Sequence, residues 1–216
     1  YEEFREDVDQ FAKALISMGV KAGTKVSIWA TNVPAWYITF WAATKIGAVL
    51  VTVNTAYKRH EADYLFRQSD THTLVMVESC LDSNYKEIIN EICPEIATSK
   101  PGEPLHCKRL PFLRNVITID FKQPGCLTFE EAMDRGDLVP QEELNRMAAR
   151  VRPEDVCNMQ YTSGTTGFPK GVMLTHYNVV NNGKCIGDRM GLSTADRMMI
   201  QVPMFHCFGM VLSMTA

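Results

Sequence analysis

Between Tyr161 and Val172 the chain reads YTSGTTGFPKGV, which sets hydroxyls at Thr162, Ser163, Thr165 and Thr166, glycines at Gly164, Gly167 and Gly171, and an ammonium at Lys170. Glycines let backbone N–H groups close around an anion with no Cβ in the way, hydroxyls add donors, and a lysine adds mobile positive charge. The ligand that suits this set is a phosphate chain. Each hydrogen bond to an ionised oxygen contributes about 1.5–3 kcal/mol, so several together hold a triphosphate. A flexible hairpin would use the same turn residues, but it requires neither the lysine nor so dense a run of hydroxyls.

Two better-known phosphate loops fail against this stretch. Started at Gly164, the pattern G-x-x-x-x-G-K-[ST] meets Pro169 where its second glycine belongs and Gly171 where its magnesium-binding hydroxyl belongs. No G-x-G-x-x-G occurs, so a dinucleotide fingerprint is absent as well.

The elements that must position such a loop follow from periodicity. Phe4, Val8, Phe11, Leu15 and Met18 recur at helical steps from Tyr1 to Gly19, which predicts an amphipathic helix closed by a glycine. Val26 to Ala30 reads as a buried strand, TNVPAWYITFWAATKIGA as a turn and helix, and AVLVTVN as a second strand, together a βαβ unit. Further strands are predicted over Thr73–Val77, Val116–Asp120 and Val156–Tyr161, with helices over Asp82–Cys93 and Gln141–Arg150. The fold class is α/β with a parallel sheet. PEIATSKPGEPLHCKRLP has neither period and reads as a surface excursion. LTHYNVV reads as a strand passing into a helix capped by Thr175, which makes His176 structural. Trp36 and Trp41 read as core, and His60 and His72 as surface histidines.

Composition excludes several classes. The chain has 216 residues, 46% apolar and 22% charged, with net charge −3 and pI near 6.0. That is a globular profile with no basic stripe, so nucleic acid is not an expected partner. The longest apolar run, Trp36 to Val53, is broken by Lys45 and Gly47 and reads as a helix followed by a strand, not a transmembrane segment. Seven cysteines with no C-x-x-C pair suggest neither a disulfide framework nor a zinc site, and they point to a reducing compartment, read as the cytoplasm. The sequence leaves homo-oligomer formation open.

YTSGTTGFPKGVMLTH resembles the signature loop of the adenylate-forming enzymes, which include acyl-CoA synthetases, firefly-type luciferases and the adenylation domains of peptide synthetases. The resemblance runs along nearly the whole chain. GVKAGTKVSIWATNVPAWYITFWAATKIGAVLVTVNTAY and RHEADYLFRQSD are similar to the family's early blocks, and PMFHCFG to the segment lining its acyl pocket. His206 stands where amino-acid-activating domains carry aspartate, and the texture is most similar to medium- or long-chain fatty acyl-CoA synthetases.

The resemblance implies a carboxylate attacking the α-phosphate of ATP to give acyl-adenylate and pyrophosphate, followed by coenzyme A thiol displacing AMP. It assigns the phosphates to Thr162, Ser163, Gly164, Thr165, Thr166, Gly167 and Lys170, with Mg2+ carried mainly by phosphate oxygens and water. It assigns the fatty acid carboxylate to His206, at what reads as the end of a buried strand, where sites in open α/β sheets collect. It further implies that residues 1–216 are an incomplete amino-terminal domain, lacking the downstream glutamate and aspartate motifs and a mobile carboxy-terminal domain, and inactive alone. The alternatives are an aryl-CoA ligase and a truncated phosphate-binding module without chemistry.

Overall fold

Aliphatic and β-branched runs alternate with amphipathic stretches, and in the computed structural model of the chain, which describes residues 1–162 and 169–216, they become alternating strands and helices. Helix α1 (Glu2–Ser17) turns Val8, Phe11 and Leu15 inward and is followed by Gly19 at φ +86°, a left-handed conformation that glycine adopts without strain. Next come β1 (Lys25–Trp29), α2 (Pro34–Lys45), β2 (Val49–Thr52), α3 (Arg59–Gln68) and β3 (Thr71–Val77). The run from Trp36 to Val53 is thus a helix and a strand, as its broken hydropathy predicts.

A small hairpin, β4 (Ser79–Cys80) with β5 (Ser83–Asn84), precedes α4 (Tyr85–Ile92). The helix expected from Asp82 therefore starts later, because the Asn84 side chain accepts from the Glu87 N–H and caps it there. The remaining strands and α-helices are β6 (Asn115–Ile119), β7 (Leu127–Thr128), α5 (Phe129–Asp134), α6 (Gln141–Ala148), β8 (Val156–Thr162), β9 (Lys170–Thr175) and α7 (His176–Met190). A π-helical turn spans Phe208–Met214. Thr175 caps α7 by accepting from the Asn178 N–H, as its sequence context predicts.

Seven strands form one sheet in the order β7-β6-β3-β1-β2-β8-β9, parallel throughout except for the antiparallel pair β8–β9 at one edge. Side chains alternate between two cores, as the pleat requires. Val26, Ile28, Leu50, Val75 and Ile117 face a cluster with Phe11 and Leu15 of α1, Trp36 and Phe40 of α2, and Phe129 of α5. Trp29, Val51, Leu74, Met76 and Val116 face the other, with Leu65 and Phe66 of α3 and Tyr85 and Ile89 of α4. Trp29 stacks on Tyr85 with centroids 3.9 Å apart.

The excursion over residues 94–111 is less superficial than its composition suggests. Ile96, Leu105, Cys107 and Leu110 are buried in the second core, and Arg109 clamps Asp63 of α3 through Nη2 to Oδ2 at 2.8 Å. Its polar residues face water while a sparse apolar set, without period, covers the sheet. His72 is likewise half-buried, with Nδ1 3.0 Å from the Thr73 hydroxyl, whereas His60 is exposed. No helix among the described residues is long and apolar enough to cross a membrane.

Candidate functional site

Parallel strands β1, β2 and β8 are neighbours, so their carboxyl ends share one edge of the sheet, the edge at which ligands of open α/β sheets bind. The phosphate-loop candidates lie at the end of β8. Thr162 is its last residue, Lys170 is the first of β9, and the two are directly paired in the antiparallel ladder. Ser163, Gly164, Thr165, Thr166 and Gly167 lie outside the described residues. Thr162 and Lys170 are both exposed and bring a hydroxyl and an ammonium to the same end of the hairpin. That donor set suits phosphate oxygens and not a cation, so Mg2+ would be held there through the phosphates.

His206 is not at the end of a strand. Residues 197–206 form an irregular strap with no ladder partner among the described residues; it turns at Met204 and Phe205, and the chain then enters the π-helical turn. Three bonds hold the strap to the chain just after β1. The Asn32 amide Nδ2 donates to the carbonyls of Ile200 (3.3 Å) and Val202 (2.9 Å), and its Oδ1 accepts from the Met204 N–H at 2.9 Å. On the far side, Gln160 of β8 donates through Nε2 to Met210 Sδ at 3.7 Å, joining the turn to a position two residues before Thr162. The strap and turn therefore lie over the edge where the loop begins.

His206 itself is exposed and its ring is oriented by the turn. The Phe208 N–H donates to Nδ1 at 3.1 Å, which makes Nδ1 an acceptor and leaves the proton of the neutral imidazole on Nε2. The His206 N–H donates to Pro203 O, and the His206 carbonyl accepts from Gly209 and Met210. Gly209 is required by packing, since a Cβ there would meet Pro203 O at 2.4 Å. Sequence reasoning singled out His206 but missed Asn32, whose place before Pro34 reads as an ordinary turn; its partners are 168 to 172 residues away.

Two other features lie apart from this edge. A groove of about 610 Å³ between α1, α2 and the start of α7 is lined by Phe4, Val8, Trp41, Val151 and His176. It sits at the amino edge of β8, where Val156 pairs with Thr175, away from the end at which Thr162 and Lys170 pair. His176 Nε2 is buried there without a partner, and burial lowers its pKa. Cys93, Glu95 and Cys107 place three ligand-type atoms within 4.8 Å of one another below α4. All seven cysteines are free thiols, and burial pushes the Cys93 thiol up, disfavouring the thiolate.

Comparison with known proteins places these features in context. The family model of the AMP-binding enzymes matches residues 1–216. The YngI protein of Bacillus subtilis (strain 168) is 46% identical over 217 residues, covering 100% of this chain and 39% of YngI. The human mitochondrial medium-chain acyl-CoA ligase ACSF2 is 34% identical over 216 residues, covering 98% of this chain and 35% of that one. Among solved structures, the anthranilate CoA ligase AuaEII in complex with anthranoyl-AMP superposes with TM-score 0.80 at 26% identity, over 97% of this chain and 36% of that one. A long-chain-fatty-acid-CoA ligase from Archaeoglobus fulgidus gives TM-score 0.73 at 27% identity, over 99% and 37%. The chain thus spans well under half the length of these relatives.

Proposed function

The chain belongs to the AMP-binding enzyme family, and from that membership we propose that it supplies the phosphate grip and part of the carboxylate site of an ATP-dependent fatty acid–CoA ligase. The observation that carries this reading is the pairing of Thr162 with Lys170 at the sheet's carboxyl edge, with the His206 turn tied to the chain just after β1 and to β8. The physical difficulty of the first half-reaction is bringing a carboxylate up to an anionic phosphate. Positive potential from Lys170, donors from Thr162 and the following loop, and a fixed Nε2–H from His206 are suited to that task. Coenzyme A would enter in the second half-reaction, and none of the described residues is assigned to it.

A medium- or long-chain fatty acid is the proposed substrate, supported by the ACSF2 and Archaeoglobus relatives. An aromatic acid is the second reading, favoured by the likeness to the anthranilate ligase. Pyrophosphate release by the full-length enzyme, measured with saturated fatty acids of graded length and with benzoate-type acids, separates the two. A maximum among the aliphatic acids is expected; a clear preference for the aromatic ones would overturn the fatty acid assignment. Seven free thiols favour a reducing compartment, proposed to be the cytoplasm. The ACSF2 relatives are mitochondrial by name, and fractionation of cells decides between the two locations.

A further inference from the structure

Asn32 is exposed just past the end of β1, one position before Val33, the N-cap residue of α2. Its carboxamide is turned onto the strap that leads to His206. Among the described residues, its bonds are the only ones made by Ile200 O, Val202 O and Met204 N. The strap has no ladder partner, so this one side chain does for it what a neighbouring strand does elsewhere. A carboxamide suits the task because it presents donors and an acceptor in one plane. A carboxylate would set acceptors against two carbonyls, and an aliphatic side chain would offer neither group.

We infer that Asn32 is a positioning residue for carboxylate activation, fixing where the His206 Nε2–H stands relative to the carboxyl end of β8. The inference rests on the reading of His206 as the carboxylate's partner. Neighbouring strands lie about 4.8 Å apart, so the ends of β1 and β8 are separated by about 10 Å. The strap bridges that gap, anchored by Asn32 at one end and by the contact of Met210 with Gln160 at the other. Asn32 touches neither ATP phosphates nor thiol in this scheme. Its effect is confined to the carboxylate.

The test is a double-mutant cycle in the full-length enzyme, with Asn32→Asp and Asn32→Leu each combined with His206→Ala. Pyrophosphate release is measured against fatty acid and against ATP, together with melting temperature. The expected result is about a tenfold loss in kcat/KM for the fatty acid in either Asn32 variant, with KM for ATP and the melting temperature unchanged. Neither Asn32 variant should cost anything further once His206 is alanine. If His206→Ala lowers activity while both Asn32 variants match the unaltered enzyme, the Asn32 inference fails and the His206 reading stands. Losses that multiply in the double variants, or a variant that melts well below the unaltered enzyme, show that Asn32 acts independently of His206 or holds the fold, and overturn it too. If His206→Ala itself has no effect, the His206 reading falls and takes the inference with it.

Discussion

Thr162 and Lys170 face each other as the terminal cross-strand pair between β8 and β9, so the residues from Ser163 to Pro169 leave and re-enter the sheet at one point. A loop with both ends fixed in a ladder loses less freedom on closing around a ligand than one with a free end. YTSGTTGFPK thus connects two antiparallel strands, and its residue types are those of the proposed phosphate loop. The hydroxyl and the ammonium approach the same space from opposite strands.

The orientation of His206 gives a prediction that depends on which nitrogen carries the proton. Because Nδ1 accepts from the Phe208 N–H, the donor is Nε2. His206→Ala is expected to slow fatty-acid-dependent pyrophosphate release by roughly ten- to a hundredfold, about 1.4–2.7 kcal/mol in the barrier, with ATP affinity kept. His206→Gln, whose amide reaches as far as Nε2, should retain more activity than His206→Asn, whose amide stops near Nδ1. Equal activities for the Gln and Asn variants would contradict the assignment.

Gly209 makes a separate claim on the same turn. An added methyl group would come within 2.4 Å of Pro203 O and 2.7 Å of Val202 O, both backbone atoms that cannot swing aside. Gly209→Ala should therefore push the strap away from the edge and reduce kcat/KM for the fatty acid more than for ATP. Steady-state kinetics with each substrate varied in turn checks this, and an enzyme indifferent to the change would place the strap outside the site.

The clamp between Asp63 and Arg109 predicts a pH-dependent stability. Burial works against the Asp63 carboxylate, but hydrogen bonds from Arg109 and Arg67 outweigh it and hold its pKa below the ordinary value. A carboxyl whose pKa is lower in the folded state adds stability above its unfolded value, and that stability is lost as pH falls through the folded value. Asp63→Asn should cost about 1–2 kcal/mol at pH 7, since the guanidinium side is half exposed. The difference in melting temperature from the unaltered protein should shrink on acidification below the carboxylate range. A difference that persists or grows there would assign the effect to something other than this charge.

The sheet was legible because its signals are local. Val26–Ala30 and AVLVTVN are rich in strand-favouring β-branched and aromatic residues, and Thr175 with Asn178 announces the start of α7 within four positions. What escaped the sequence depends on distance. QVPMF has the apolar texture of a strand, yet a strand needs a ladder, and the strap's partner is one side chain more than 160 residues away. The excursion over residues 94–111 lacks period because only four of its side chains are drawn into a core built by other segments. Hairpin β4–β5 has two residues per strand, too few to show alternation.

The proposed role of the loop is most directly tested by separating the two half-reactions in full-length Lys170→Ala under single-turnover conditions, with Thr166→Ala as a second variant. In the proposed scheme Lys170 faces the departing phosphates, so adenylate formation from fatty acid and ATP should slow by a large factor, while thiolysis of supplied acyl-adenylate by coenzyme A stays close to the unaltered rate. Adenylation at the unaltered rate in both variants, or a defect confined to thiolysis, would contradict the account.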